Sequence, residues 1–297
     1  MLSAIRAKRI EDEEELNFRK EIRSRFVHTF IRYPAALPAL ILFVIIVLCA
    51  IFAPVLAPYT PFEGSAAERL QGVGTAGHLL GTDEQGRDIL SRCLYGGRYS
   101  LLMGFLPVVI ATVIGGALGI ISGYFGKAYA QIIMRTLDIF YAFPSILLAI
   151  ALSSVLGSGL SSIIIPIAVI LVPPIARVAE STVQDIMPED FIEAAQTSGA
   201  GALKVILFFI IPNTFGRVFI YCTTQFSVSI LSASGLTFLG LGISPPTPEW
   251  GSMLNALRQQ IYINPLLTII PGLFIFVTAL SVNIISDGLK DALEATT

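Results

Sequence analysis

Residues 139–176 read IFYAFPSILLAIALSSVLGSGLSSIIIPIAVILVPPIA. These 38 residues contain no Asp, Glu, Lys or Arg. A helix that crosses a bilayer needs about 20 mostly apolar residues. The stretch is therefore long enough for two spans, separated at the polar break Gly157-Ser158-Gly159.

The same pattern recurs on both sides. Residues 33–62, 99–126, 218–248 and 259–286 are also free of charge, and each holds one span. Six spans result, at about 36–56, 101–122, 137–156, 163–179, 212–233 and 266–286. Only 13% of the chain is charged, against about 25% in a soluble domain. The fold class expected is an all-α integral membrane protein with six transmembrane helices. Repeated charge-free runs exclude a soluble protein with unusually buried helices. The first span follows a long charged tail, which sets it apart from a cleavable signal peptide.

The polar remainder organises the chain into a tail at 1–35, a first span at 36–57 and a polar segment at 58–98. A core at 99–288 and a short tail at 289–297 follow. In the first tail Phe18, Ile22, Phe26 and Phe30 recur every four residues among Arg19, Lys20, Arg23 and Arg25. That suits either a basic amphipathic helix on the membrane surface or a solvated helix. Lys and Arg favour the cytoplasmic side. With the N-terminus inside, 14 lie inside and five outside, so both termini are expected in the cytoplasm. The long connections then fall outside at 57–100 and 234–265 and inside at 180–211. Such connections are where function concentrates.

Motifs of covalent chemistry are missing. Gly123-Tyr124-Phe125-Gly126-Lys127-Ala128 is too short between glycines for a phosphate loop and has Ala where magnesium needs a hydroxyl. It reads as a turn leaving the second span. Cys49, Cys93 and Cys222 are dispersed and His28 and His78 lie far apart, so no metal or cofactor is expected. The spans hold almost no ionisable groups, which argues against a proton pump or an ion-coupled carrier. No catalytic residue and no nucleic-acid partner is expected. Gly115, Gly119 and Gly123 stand four apart and predict close packing on another helix. Prolines 38, 107, 144, 166, 173, 174 and 271 lie in or at the ends of spans, where each can bend a helix.

The inside connection is the most informative. Pro188-Glu189-Asp190 suits a helix start, with acids at the positive end of the dipole. Gly199 suits a helix stop. Residues 202–211 predict a second helix, and Pro212 opens the next span. The result is a helical hairpin whose small tip residues, Ala194 and Ala195, admit another protein's surface, with Glu193 offering a charge across the contact.

The residues here resemble a family. Glu193-Ala194-Ala195, Gly199, Phe209, Ile211 and Pro212 are similar to the EAA loop of permease subunits in bacterial binding-protein-dependent ABC importers. Phe209 and Ile211 stand where that family more often has Ile and Leu, and both keep an apolar contact. The run from His78 to Arg92, with Gly81, Thr82, Asp83, Gly86, Arg87 and Asp88, resembles the outer segment of C-type subunits of dipeptide and oligopeptide permeases. So do residues 239–251 and 286–291.

The resemblance implies a type I fold, with one N-terminal helix and a five-helix core. It implies that the loop at 185–212, including Asp190, docks on a cytoplasmic ATPase and transmits its motion. The implied partners are a homologous second permease, two ABC ATPases, a periplasmic or lipid-anchored binding protein, a peptide solute and membrane lipid. ATP hydrolysis would belong to the partners. The same machinery could carry a nickel chelate, glutathione or an opine. Two readings from other classes are half of an ABC exporter, disfavoured because no nucleotide-binding domain follows the spans, and a passive channel or scaffold. Apart from any family, Asp83, Glu84, Arg87, Asp88, Arg92 and Arg98 crowd one stretch, and Asp88 and Arg92 are spaced to pair on a helix. That crowd is either a self-paired, solvated cap over the pore or a contact for a binding protein or second permease.

Overall fold

The computed structural model describes residues 24–295. Phe18 and Ile22 lie outside them. Helix α1, Ser24–Arg32, meets α2, Ala36–Ile51, at 89°. The Phe30 ring of α1 lies against Gly288 near the far end of the chain. The first span is α2 with a short continuation, α3, at Ala53–Leu56. The second is α4, Ile89–Phe125, which starts well before the apolar run because Asp88 caps it.

The third span differs from the expected single helix at 137–156. It consists of α5, Lys127–Tyr141, and α6, Ser145–Leu156, bent by 84°. Pro144 is the cause: it has no N–H to continue the ladder and restricts the residue before it. The polar break falls where the sequence puts it. Gly159 donates its N–H to Gly242 O at 2.8 Å, and α7 then runs Ser161–Ile186. Helix α8, Asp190–Thr197, is followed by α9, Ala202–Val205.

A second correction concerns Pro212. Residues 202–211 do not form a separate helix. Helix α9 passes through a π turn at Ile206–Ile210 into α10, Ile211–Phe238. Pro212 lies inside this continuous helix and has no N–H to donate back to the preceding turn. The widened turn and the amide of Asn213, which donates to Phe209 O at 2.6 Å, absorb the interruption. Helix α11, Trp250–Ala256, and α12, Pro265–Glu294, complete the chain.

Helices α4 and α7 form the central pair. Backbone and side-chain atoms of Val172, Ile175, Ala176, Ala179, Glu180 and Val183 crowd the places where side chains would stand at Gly115, Gly119 and Gly123. Without side chains at these positions the two helices approach at backbone distance, and dispersion contacts replace lipid. Helix α10 packs on α4, α7 and α12, and α2 packs on α12 and α4. Met103, Ile163, Ile167, Ile175 and Ile230 are buried at the centre. One end of this bundle carries α8. The other carries the segment before α4 together with α11.

Candidate functional site

Helix α8 sits on the bundle through one apolar side. Ile192 and Ala195 are buried with Val183, Val205 and Ile210, against partly buried Ile120, Tyr124, Ile186 and Phe209. Ala195 is thus not on the outer surface where the sequence reading put it. A helix turns about 100° per residue, so of two adjacent alanines only Ala194 can share the exposed side with Glu193. Asp190, Glu193, Gly199, Ile211 and Pro212 are all exposed.

The stop after α8 is a complete Schellman motif. Ala200 N–H donates to Ala195 O at 3.2 Å and Gly199 N–H donates to Gln196 O at 3.0 Å. Gly199 has φ +78°, and no atom stands within 4 Å of the place a side chain would take. Glycine is required there by conformation and not by space. Thr197 and Ser198 hydroxyls donate to the carbonyls of Glu193 and Ala194 at 2.9 and 2.7 Å. The exposed side of α8 is therefore a short, internally bonded, acidic surface seated on the ends of α4 and α7 and on the π turn that leads into α10.

At the opposite end four of the six crowded charges are buried, not solvated, while Glu84 and Arg98 are half-buried. Asp83, Arg87 and Arg92 are each 4% exposed and Asp88 1%. Asp83 holds Arg87 Nε at 2.7 Å and Arg92 Nε at 3.3 Å. The expected Asp88–Arg92 pair does not form. Asp88 caps α4 instead, accepting from Ser91 N–H and Oγ–H at 2.7 Å, and its other oxygen lies 3.0 Å from His78 Nδ1. Arg92 donates to Pro61 O at 2.7 Å and to Pro246 O at 3.2 Å. Thr82 Oγ1 donates to Glu68 O and accepts from Gln71 N–H. Gly81 and Gly86 turn the chain against the backbone of Gln71 and Ser65. These residues lock residues 59–88 and the connection before α11 onto the start of α4. Being buried, they offer no surface to a second protein.

The chain matches the family described as "Binding-protein-dependent transport system inner membrane component" over residues 115–297, which is more than half of it. It belongs to that family. Residues 23–72 of this permease also match the N-terminal membrane domain of oligopeptide transport permease C. The di/tripeptide transport system permease protein DppC of Pseudomonas aeruginosa is 40% identical over 91% of this chain and 90% of its own. The dipeptide transport system permease protein DppC of Alkalihalophilus pseudofirmus is 42% identical over 87% and 85%. The glutathione transport system permease protein GsiD of Escherichia coli is 39% identical over 91% and 89%. An inward-facing structure of the MetNI methionine ABC transporter covers 69% of this chain and 96% of its own, with TM-score 0.53 at 17% identity. That likeness supports the type I fold. The permease is a multi-pass membrane protein, as its apolar helices require.

Two features of the permease escape the sequence. Glu249, fully buried, caps α11 by accepting from Gly251 N–H at 2.9 Å and Ser252 N–H at 2.8 Å, and it accepts from Ser100 Oγ–H at 3.0 Å. Burial pushes its carboxyl above the usual carboxylate range, with Gly251, Ser252, Thr237 and Ser100 pulling the other way. Beside it Trp250 Nε1 donates to Cys93 O at 2.8 Å. The second feature is an ion pair between Asp138 of α5 and Arg177 of α7, with the guanidinium 5.2 Å from the centre of the Tyr141 ring. Both residues are visible in the sequence as the charges that bracket residues 139–176, but only the fold brings them together. Among the described residues no cluster suits a metal ion.

Proposed function

We propose that this permease is one subunit of an ABC importer for di- and oligopeptides, and that the exposed side of α8 is the handle by which a cytoplasmic ATPase moves the helices. The observation that carries the reading is the apolar seating of α8. Its buried side joins α4, α7 and the π turn that leads into α10, and Glu193 and Ala194 are left outward between Asp190 and the stop at Gly199. A force on that side acts on three spans together. The excess of Lys and Arg on the α8 side supports a cytoplasmic position for α8 and both termini. In this reading a homologous second permease completes the pathway, two ATPases close on ATP, and a binding protein outside delivers the solute. This subunit hydrolyses nothing itself.

Peptide as solute is supported by relatives at 40% and 42% identity that are named for di- and tripeptides. A second reading, glutathione, is favoured by the relative named for it at 39%. Both solutes are short peptides with free termini, so the membrane machinery need not differ.

The test is Gly199→Trp in the assembled importer. Membrane insertion should persist, while peptide uptake and binding-protein-stimulated ATPase activity should both disappear. Normal transport by that variant sinks the handle. Uptake of a labelled dipeptide against labelled glutathione by the unaltered complex separates the two solutes.

A further inference from the structure

The break between α5 and α6 lies level with the middle of α7. Tyr141, Phe143 and Ser145 at the break share a cavity of about 210 Å³ with Ile170 and Pro173 of α7. Pro173 stands at the midpoint of α7, Ser161–Ile186, about 18–20 Å from either end at 1.5 Å per residue. Helix α6 has 12 residues, about 18 Å, which spans only about half the length of α7. Irregular backbone at this depth is stable only where it is buried in protein or lines a water-filled path. Here it is not buried by this chain. Tyr141 is 60% exposed and Phe143 57%.

The ion pair stands one turn away. The side chains of Arg177 and Asp138 are 49% and 45% exposed, although each adjoins a charge-free run of 38 residues. Charges within a membrane persist where they face a polar path, and they mark routes for ions and solutes. Had the pair served only to fasten α5 to α7, it would be expected inside the contact, where water does not weaken it.

We propose that Asp138 and Arg177, with the aromatic walls of Tyr141 and Phe143, form the solute-contacting gate of this permease. This rests on the peptide reading above. A short peptide carries an ammonium at one end and a carboxylate at the other. Asp138 accepts from the first. Arg177 presents a planar fork of donors to the second. The side chains of the peptide meet the rings. With no solute the two protein charges neutralise each other, so the path holds no unpaired charge. With solute the contact between them is exchanged for two equivalent ones. The exchange is nearly balanced, so the solute is admitted without being trapped.

The experiment uses the complete importer, with its binding protein, in proteoliposomes. Asp138→Asn and Arg177→Gln should each lower dipeptide uptake at least about tenfold, the factor for one lost charge-assisted hydrogen bond. Binding-protein-stimulated ATPase activity should persist, so that uptake per ATP falls. The double exchange D138R/R177D restores an ion pair but reverses its direction. It should stay as low as the single variants, and recovery to the original rate would reduce the pair to a fastener and overturn the proposal. Phe143→Cys leaves both charges in place and decides the matter if the charge variants do not assemble. A water-soluble thiol reagent should modify it, and peptide-loaded binding protein with ATP should slow that modification several-fold. An unchanged modification rate overturns the gate. Uptake by the unaltered complex that Asp138→Asn and Arg177→Gln leave intact overturns the gate alone. No dipeptide uptake by the unaltered complex overturns the peptide reading and the gate with it.

Discussion

At the scale of single residues, Asp83 and Gly199 make opposite demands. Asp83 is the shared partner of two buried guanidinium groups, Arg87 and Arg92. Removing one member of a buried charge cluster costs about 3–5 kcal/mol, because the others stay desolvated. Asp83→Asn should therefore lower the melting temperature of the purified complex, and Glu84→Gln, one residue on and partly exposed, should not. Gly199 stands in open space, so Gly199→Ala meets no clash and pays only the left-handed penalty of about 1–2 kcal/mol. The measurable effect is faster amide exchange in α8, with the bundle unchanged. Glu249 gives a pH signature. Its folded value is raised, so the folded state holds its proton more readily than the unfolded chain. The stability it contributes is complete below the ordinary carboxylate range and is lost as pH rises through the raised value. Thermal stability scanned from pH 4 upward should show that decline, and Glu249→Gln should flatten it.

At the scale of elements, the sequence is legible where burial follows from composition alone. The charge-free runs mark the spans, and the polar break at Gly157 to Gly159 separates α6 from α7 as read. The start and stop of α8 follow from Pro188, Asp190 and Gly199. What is not legible depends on partners distant in sequence. Nothing near Ala195 says which of two neighbouring alanines faces Ile192 and Val205. Asp88 is spaced to pair with Arg92, yet the nearer claim is the free N–H groups at the start of α4, and Asp83 arrives from a turn to take both arginines. Pro144 and Pro212 look alike in the sequence. One breaks a span because residues 142–144 leave the helix, and the other is accommodated by a π turn. The glycine row yields an element-scale prediction. Gly119→Val places methyl groups against the backbone of Ala176 and the side chain of Ala179. Overpacking of this kind costs about 1–3 kcal/mol. It should separate α4 from α7 and lower the melting temperature, whereas Gly116→Ala, which meets no atom within 4 Å, should leave it unaltered.

At the scale of the whole molecule, the permease is a bundle with α8 at one end and a locked cap at the other, and α4 reaches both. Asp88 and Arg92 fasten its first turn into the cap, while Ile120 and Tyr124 touch the cluster beneath α8. Its 37 residues make a rod about 56 Å long. Pivoting such a rod by about five degrees around one end sweeps the other through about 5 Å, the pitch of one helical turn. Because the glycine row joins the α8 end of α4 to α7, a sweep of that end carries α7 with it. On the reading proposed above, an event at the nucleotide side would then be felt at the solute-delivery side with no relay of intermediate side chains, and the reverse journey would be equally direct. A docked binding protein and a bound nucleotide would act on opposite ends of one beam.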